Sequence, residues 1–263
     1  MAKKVNVTVL RTAGTNCNEE TAYAFEYFGA DVTQVHIDAL CRKESRLGDA
    51  HILALPGGFS YGDDIASGRI LANELRLKLG DEIRHFIEQG KLIIGICNGF
   101  QILVKAGILP GIRLLEGQEA TLYHNDSAKF EARWTHLAVE QSKCVWTQGI
   151  APQIYLPVAH GEGKFMVDDT GILSQIKSNG QVVFRYCAPD GQKPSYPDNP
   201  NGSLDDIAGI CDPTGRVLGL MPHPERHLLF EQHPYWTRLV RASNLGDGAS
   251  IFSNGVDYIR KNF

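Results

Sequence analysis

Short apolar runs alternate with helical segments through the first half of the sequence, and this order restricts the fold more than any other feature. KVNVTVL, DVTQVHI, HILALPGG and KLIIGI are rich in β-branched and aliphatic residues, which is typical of strands. Between them, CNEETAYAFEYFG and residues 65–90 space apolar residues three to four apart, which predicts one helix in each. Asn16 and Glu19 are spaced as a capping box for the first helix. The repeated order predicts an α/β fold with a mostly parallel central sheet and helices on both faces.

The second half of the chain has strand-like runs but no long helical pattern before its end. IRLLEGQEATLYH, KFEARWTHLAVE and QVVFRYC are predicted strands, and IAGIC and VLGLM flank the turn DPTG, which indicates a hairpin. Helices are predicted around PYWTRLVRA and SIFSNGVDYIRKN. Residues 188–203 are a loop by composition, and a loop of that length is often functional. Without a linker or a repeat, we predict a single domain over residues 1–263.

Charge and cysteine content exclude several classes of protein. The formal net charge is -4, and no basic run offers a surface for nucleic acid or an anionic membrane. No stretch resembles a signal peptide or a membrane span, so we expect a cytoplasmic protein. The six cysteines are scattered with no C-x-x-C pair, which argues against a disulfide framework or a zinc site. No metal is therefore predicted, and each cysteine has to be judged by its own surroundings.

Cys97 lies where a predicted buried strand meets a predicted helix, in the order Gly95-x-Cys97-x-Gly99. This spacing is that of a nucleophile elbow, in which small neighbours let a strained central residue present its side chain. The following helix N-terminus favours the reactive thiolate, and its backbone N–H groups can stabilise an oxyanion. A buried structural cysteine is the alternative, and a partner base is needed to decide.

His223 is the best candidate for that base among the nine histidines. It follows a predicted strand in GLMPHPERH, where two prolines restrict the backbone. Glu225, two residues later, can face the same way and orient the imidazole. His227 and His233 are predicted to be ordinary surface residues.

Together these residues resemble the class I glutamine amidotransferases, whose glutaminase domains have a flavodoxin-like fold and carry a cysteine elbow followed much later by a His-x-Glu pair. Cys97, His223 and Glu225 match that triad in identity and order. GTNCNEET, LPGGFSYGDDIASGRI, GICNGFQIL, HGEGKF, NPNGS and VLGLMPHPER are similar to the glutaminase subunits of the phosphoribosylformylglycinamidine (FGAM) synthases of purine biosynthesis. These motifs occur in order over nearly the whole chain.

The resemblance implies an amide hydrolysis in which Cys97 attacks the side-chain amide of L-glutamine and leaves a glutamyl thioester. Asn98, with Gly57 or Gly58, would supply the oxyanion donors, because preorganised N–H groups are often the largest catalytic contribution. Gln101, one helical turn after Cys97, would help to hold the substrate. His160 and Glu162 in AHGEGKF match family positions near the site or a partner, and the role of Cys17 is left open.

The sequence has neither a G-x-x-x-x-G-K-[ST] loop nor a G-x-G-x-x-G motif, so no cofactor is predicted in this chain. The resemblance implies that a large synthetase subunit, which binds ATP and Mg²⁺, uses the ammonia to convert formylglycinamide ribonucleotide to formylglycinamidine ribonucleotide. A small third subunit would complete the assembly. Two alternatives are a stand-alone cysteine hydrolase of the same fold and a non-catalytic relative, although such relatives usually lose part of the triad.

Overall fold

The computed structural model describes residues 4–263, and a nine-stranded sheet runs through its centre. The strands of the protein are β1 (Asn6–Arg11), β2 (Asp31–His36), β3 (Ile52–Leu55), β4 (Leu92–Ile96), β5 (Thr121–Tyr123), β6 (Glu131–Val139), β7 (Gln153–His160), β8 (Lys164–Met166), β9 (Val182–Cys187), β10 (Ile207–Cys211) and β11 (Val217–Leu220). The order in the large sheet is β2-β1-β3-β4-β11-β10-β9-β6-β7, and β5 pairs with β8 separately.

The strands β2, β1, β3, β4 and β11 are parallel, which confirms the predicted α/β fold with a parallel core. β10, β9, β6 and β7 extend this core with antiparallel pairs. β3, β4, β10 and β11 are buried along their whole length, as expected for strands covered on both faces. The predicted hairpin around DPTG is the antiparallel pair of β10 and β11.

Seven helices pack around the sheet in the described part of the chain: α1 (Asn18–Tyr27), α2 (Ile37–Cys41), α3 (Arg69–Lys78), α4 (Gly80–Glu88), α5 (Asn98–Lys105), α6 (Thr170–Ser178) and α7 (Ala249–Asn262). α4 buries the apolar face formed by Ile83, Phe86 and Ile87, whereas every residue of α5 is buried. None of the helices within residues 4–263 is long and apolar enough to cross a membrane.

Three local predictions are wrong. The single helix expected over 65–90 is two helices, because Leu79 leaves helical geometry (φ -126°, ψ 12°) just before Gly80. Asn16 does not cap α1: the N-cap is Cys17, without a side-chain capping bond, because the Asn16 side chain instead accepts from the Cys17 thiol. PYWTRLVRA contains only a short 3₁₀ turn at Trp236–Arg238, since its side chains find no core to cover.

The second half also holds elements that the sequence pattern did not indicate. IRLLEGQEATLYH is a strand only at Thr121–Tyr123. α6 was missed, as was β7, whose alternating buried and half-buried residues lie at the end of the sheet. His160 is the last residue of β7, and its side chain is buried.

Candidate active site

Cys97 forms a sharp turn between β4 and α5. Its backbone is strained, with φ 52° and ψ -106°, a region that residues other than glycine rarely adopt. The Cys97 N–H donates to the carbonyl of Leu220 at 2.8 Å, which fixes the turn to the end of β11. The geometry is that of the predicted elbow, and such a strained turn persists only where the surrounding structure holds it.

Gly99 allows α5 to approach the sheet closely. A Cβ at this position would lie 1.9 Å from the backbone oxygen of Leu55, at the end of β3. The carbonyl oxygen cannot rotate away as a side chain could, so any larger residue must push the helix off the strand. The position of Cys97 therefore depends on a glycine at position 99, because only glycine has no Cβ.

We expect Gly99→Ala to lower the free energy of unfolding by about 1–3 kcal/mol, the usual cost of overpacking a core. Urea denaturation followed by circular dichroism measures it. Gly48→Ala is the matched control, since a Cβ at Gly48 meets nothing within 4 Å and should leave stability almost unchanged. Equal stability of the two variants would contradict the close approach described for α5.

His223 and Glu225 follow β11, the strand that pairs in parallel with β4. Adjacent parallel strands end at the same edge of a sheet, so the histidine arrives beside the elbow. His223 Nδ1 lies 2.6 Å from Glu225 Oε1, and both side chains are almost completely buried. The backbone N–H of His223 donates to the carbonyl of Pro157 at 2.8 Å, which anchors the segment to β7. The structure thus brings Cys97, His223 and Glu225 together.

The surroundings of His223 favour the imidazolium form. Burial by itself would lower the pKa of His223, but the Glu225 carboxylate, with further contributions from the Cys97 and Cys17 thiols, raises it well above the ordinary value. A protonated ring beside Cys97 would stabilise the thiolate and could protonate a departing amine. His223 Nε2 has no hydrogen-bond partner among residues 4–263.

Glu225→Gln should remove the main cause of the raised pKa of His223 while burial continues to lower it. The ring would then be neutral at neutral pH, and the alkaline limb of the glutaminase pH profile should move to lower pH, with about a hundredfold less activity at pH 7.5. The pH dependence of turnover measures this. Glu231→Gln, which alters an exposed pair with Arg241, is the control and should keep the wild-type profile; an unshifted profile for Glu225→Gln would refute the charge coupling.

Gly57 and Gly58 lie directly after β3, opposite the elbow. The Gly57 carbonyl accepts from the N–H groups of Asn16 and Cys17 at 3.4 and 3.2 Å. Because the carbonyl and the following N–H of a trans peptide point in opposite directions, the Gly58 N–H points away from α1. Neither this N–H nor that of Asn98, at the start of α5, donates to an acceptor within residues 4–263.

The Asn98 side chain ties this glycine segment to α5. Its Oδ1 accepts from the Ser60 hydroxyl at 2.5 Å, and its Nδ2 donates to Asp63 at 3.2 Å and to Gln101 at 2.9 Å. Burial raises the pKa of Asp63 despite the hydrogen bonds that it accepts. No sequence pattern indicated a role for Ser60 or Asp63, which hold the loop after β3 against the elbow helix.

Gln101 is 3% exposed, and the structure uses both ends of its side chain. The amide nitrogen donates to the backbone oxygen of Glu162, and the oxygen accepts from Asn98. Glu162 in turn lies 3.5 Å from the buried Lys105. Gln101 therefore fixes the loop after β7, and its predicted role in holding substrate stays a prediction.

His160 is buried at the end of β7. Burial, together with the charge of His223, lowers its pKa to about 3, so the ring is neutral at physiological pH. Its Nδ1 lies 3.1 Å from Asn125 Oδ1, and its Nε2 lies 3.4 Å from Asn201 Nδ2. Asn201 belongs to the NPNGS motif, and Ser203 of the same motif accepts from the Phe165 N–H at 3.0 Å. These contacts give the end of the 188–203 loop a structural role that its composition did not show.

Cys17, whose role the sequence left open, lines the same pocket as Cys97. The pocket has a volume of about 230 Å³ and is also lined by Gly58, Phe59 and His223, among others. It is smaller than the roughly 300–1,000 Å³ of drug-sized ligand sites, so it suits a small substrate.

The prediction that His227 lies on the surface is wrong: it is 2% exposed, and its Nδ1 lies 2.8 Å from the carbonyl of Tyr155.

Comparison with known proteins shows the family of this chain. Residues 4–259 match the CobB/CobQ-like glutamine amidotransferase domain family. A phosphoribosylformylglycinamidine synthase subunit PurQ from Dehalococcoides mccartyi is 54% identical over 98% of this chain and 99% of its own length. The subunit PurQ from Methanococcus maripaludis is 43% identical over 97% of each chain. A chain in the structure of PurLQS from Thermotoga maritima covers 98% of this chain, and 100% of its own length is covered, with 32% identity and a TM-score of 0.75.

The match spans almost the full length of these relatives, and it includes β4, the elbow, and the His-x-Glu segment after β11. The predicted resemblance to the glutaminase subunits of FGAM synthases is therefore confirmed. The chain belongs to the PurQ family of glutamine amidotransferases.

Proposed function

We propose that this protein is the glutaminase subunit of an FGAM synthase, and that it hydrolyses L-glutamine to glutamate and ammonia. The observation that carries the proposal is the strained Cys97 elbow beside the buried His223–Glu225 pair, with unused N–H groups at Asn98 and Gly58. Nucleophile, base, orienting carboxylate and oxyanion donors are the parts that amide hydrolysis by a thiolate requires. Full-length relatives named as FGAM synthase subunits support the same assignment.

In the first half of the reaction the Cys97 thiolate attacks the side-chain amide carbon of glutamine. The amide oxygen becomes an oxyanion, which accepts hydrogen bonds from the N–H groups of Asn98 and Gly58. The His223 imidazolium donates its proton to the amide nitrogen, the carbon–nitrogen bond breaks, and ammonia leaves. A γ-glutamyl thioester remains on Cys97.

In the second half the neutral His223 accepts a proton from a water molecule, which attacks the thioester carbon. The carbon–sulfur bond breaks, glutamate leaves, and the Cys97 thiolate forms again beside the imidazolium. Glu225 keeps its oxygen on Nδ1 throughout, so Nε2 remains the atom that faces the reacting groups.

The ammonia would be consumed on a partner. We propose that a large synthetase subunit binds ATP, Mg²⁺ and formylglycinamide ribonucleotide, that a small third subunit joins the assembly, and that this chain itself holds no cofactor. The name PurLQS of the Thermotoga maritima structure supports such a complex.

Two exposed aromatic side chains lie at the rim of the pocket. Phe59 and Phe130 are 45% and 53% exposed, and their ring centroids lie 6.4 Å apart. Exposed aromatic side chains beside a site are typical of a protein interface. Six free thiols suit the reducing cytoplasm, where we expect the complex to act.

The test is release of glutamate and ammonia from L-glutamine by the purified chain, alone and with the synthetase subunit, ATP and formylglycinamide ribonucleotide. We expect turnover to rise strongly in the complete mixture and formylglycinamidine ribonucleotide to appear in step with glutamate. A rate of glutamine turnover that does not change when the synthetase subunit is added would contradict the proposed assembly. Cleavage of esters or peptides without glutamine turnover would contradict the proposed substrate.

A further inference from the structure

Arg226 places a permanent positive charge in the pocket that contains Cys97. The pocket has a volume of about 230 Å³, and apart from His223 the only cationic side chain among the described residues that line it is Arg226. No carboxylate within residues 4–263 lines the pocket. The guanidinium is therefore not neutralised by the lining, and it favours an anionic group on whatever molecule enters.

The turn after β11 holds Arg226 in this place. Pro224–Arg226 form a 3₁₀ turn, and the backbone N–H of Arg226 donates to the His223 carbonyl at 3.3 Å. The same turn sets the Glu225 carboxylate on the His223 ring. One short segment thus fixes both the candidate base and the guanidinium at the pocket.

The contacts of Arg226 leave donors for a further anion. Its Nε and Nη2 lie 3.4 and 3.3 Å from a single oxygen of Glu20, and the side chains of Arg226 and Glu20 are 39% and 32% exposed. An ion pair this long and this exposed is weak. Nη2 also donates to Cys17 Sγ at 3.1 Å, but burial raises the pKa of Cys17, so the thiol is neutral near pH 7. Nη1 makes no hydrogen bond within residues 4–263.

The spacing between the guanidinium and the His223 ring suits an amino acid of the length of glutamine. Cys17 Sγ lies within 4.8 Å of a ring nitrogen of His223, and Arg226 Nη2 lies 3.1 Å from the same sulfur. In an extended glutamine, four carbon–carbon bonds put the carboxylate carbon about 5 Å from the amide carbon. A charged hydrogen bond adds about 2.8 Å. The carboxylate can therefore reach Arg226 while the amide lies beside His223.

We propose that Arg226 binds the α-carboxylate of the substrate and so selects amides that carry this group, an inference that rests on the proposed glutaminase function. A carboxylate is a stronger acceptor than a neutral thiol, so it takes over the Nη2 donor from Cys17 and uses Nη1 as well. The carboxylate lies away from the reacting amide and is bound alike in the ground state and the transition state. Arg226 therefore contributes to affinity and not to the chemical step.

The test compares two substrates of the complete complex, L-glutamine and 4-aminobutanamide, which is glutamine without its α-carboxylate. With L-glutamine, Arg226→Gln should raise KM at least about tenfold and change kcat less than about threefold, because a charged hydrogen-bonded pair is lost. With 4-aminobutanamide, the kcat/KM values of Arg226→Gln and wild type should agree within about twofold. An equal loss of kcat/KM on both substrates would overturn the proposal, because a purely structural role of Arg226 would produce it.

Two variants separate substrate binding from the link between this turn and α1. Glu20→Gln breaks the same ion pair but keeps the guanidinium, so it should raise KM less than about threefold. A KM as high as that of Arg226→Gln would overturn the proposal, since the broken link would then explain both variants. Arg241→Gln removes an exposed arginine that is paired with Glu231 outside the pocket, and it should behave as wild type.

A binding measurement does not depend on turnover. Calorimetry with L-glutamine and the Cys97→Ala complex should give a Kd at least about tenfold higher once Arg226→Gln is added. Arg226→Lys, which keeps the charge but not the planar fork, should give a value between the two. Equal Kd values with and without Arg226→Gln would overturn the proposal and leave the glutaminase assignment intact. Absence of glutamine turnover by the wild-type complex would instead contradict the proposed function itself.

Discussion

Replacement of Cys97 by alanine should abolish glutamine turnover by the complex, with a loss of at least about a thousandfold. The Cys97 thiolate is the only protein group in the proposed reaction that forms a bond to carbon, and removal of a nucleophile costs more than removal of most supporting groups. Ammonia-dependent synthesis of formylglycinamidine ribonucleotide by the complex should persist, since that step lies on the partner. The measurement is glutamate release with L-glutamine, compared with product formation from added ammonium chloride.

Two features make the Cys97→Ala result specific. The first is a matched variant: Cys41→Ala removes a free thiol that does not line the pocket and should keep wild-type turnover. The second is stability. Alanine and cysteine are equally strained at a φ of 52°, so the Cys97→Ala variant should unfold at nearly the same urea concentration as wild type. Glutamine turnover by Cys97→Ala above a few per cent of wild type would remove Cys97 from the mechanism.

Gly57→Ala should have the second largest effect, with at least about a hundredfold loss of glutaminase activity and an intact fold. The added methyl group would lie 2.8 Å from His223 Cε1 and 3.0 Å from Cys17 Sγ, inside the pocket. Both contacts are to side chains, so the backbone can stay while the imidazole moves off the elbow. A 1 Å displacement of a catalytic group can cost about a hundredfold in rate.

The comparison for Gly57→Ala is Gly117→Ala, since a Cβ at Gly117 meets nothing within 4 Å. Glutamate release and thermal unfolding are measured for both variants. We expect similar unfolding temperatures and a loss of activity in Gly57→Ala alone. If Gly57→Ala turned over glutamine as wild type does, the pocket could not have the described geometry at His223.

The parts of the site that are local in sequence could be predicted. The elbow was predicted from Gly95, Cys97 and Gly99 because strand, nucleophile and helix follow one another directly. His223 and Glu225 were predicted from the sequence His223-Pro224-Glu225 as an extended segment, whereas in the structure Pro224–Arg226 is a 3₁₀ turn that still places Glu225 on the His223 ring. Their meeting depends on the parallel pairing of β4 and β11, which are more than a hundred residues apart, and the family resemblance supplied that link.

The parts that depend on contacts between distant loops could not be predicted. The 57–61 segment is held by the loop after β1 and by Asn98, and no spacing in the sequence indicates either contact. His160 has no local signal for burial, because the asparagines that accompany its ring come from positions 125 and 201. The break at Leu79 was missed since the apolar spacing continues across it, and only the backbone geometry shows where one helix ends.

The central claim is that glutamine is hydrolysed through a thioester on Cys97, and isolation of that thioester tests it most directly. The complex is acid-quenched during turnover of L-glutamine labelled with ¹³C, and its peptides are analysed by mass spectrometry. The account predicts a labelled glutamyl group on the peptide that contains Cys97, removable by hydroxylamine and missing from Cys97→Ala. A labelled glutamyl group on Cys17 or another residue, or steady turnover by Cys97→Ala, would contradict it.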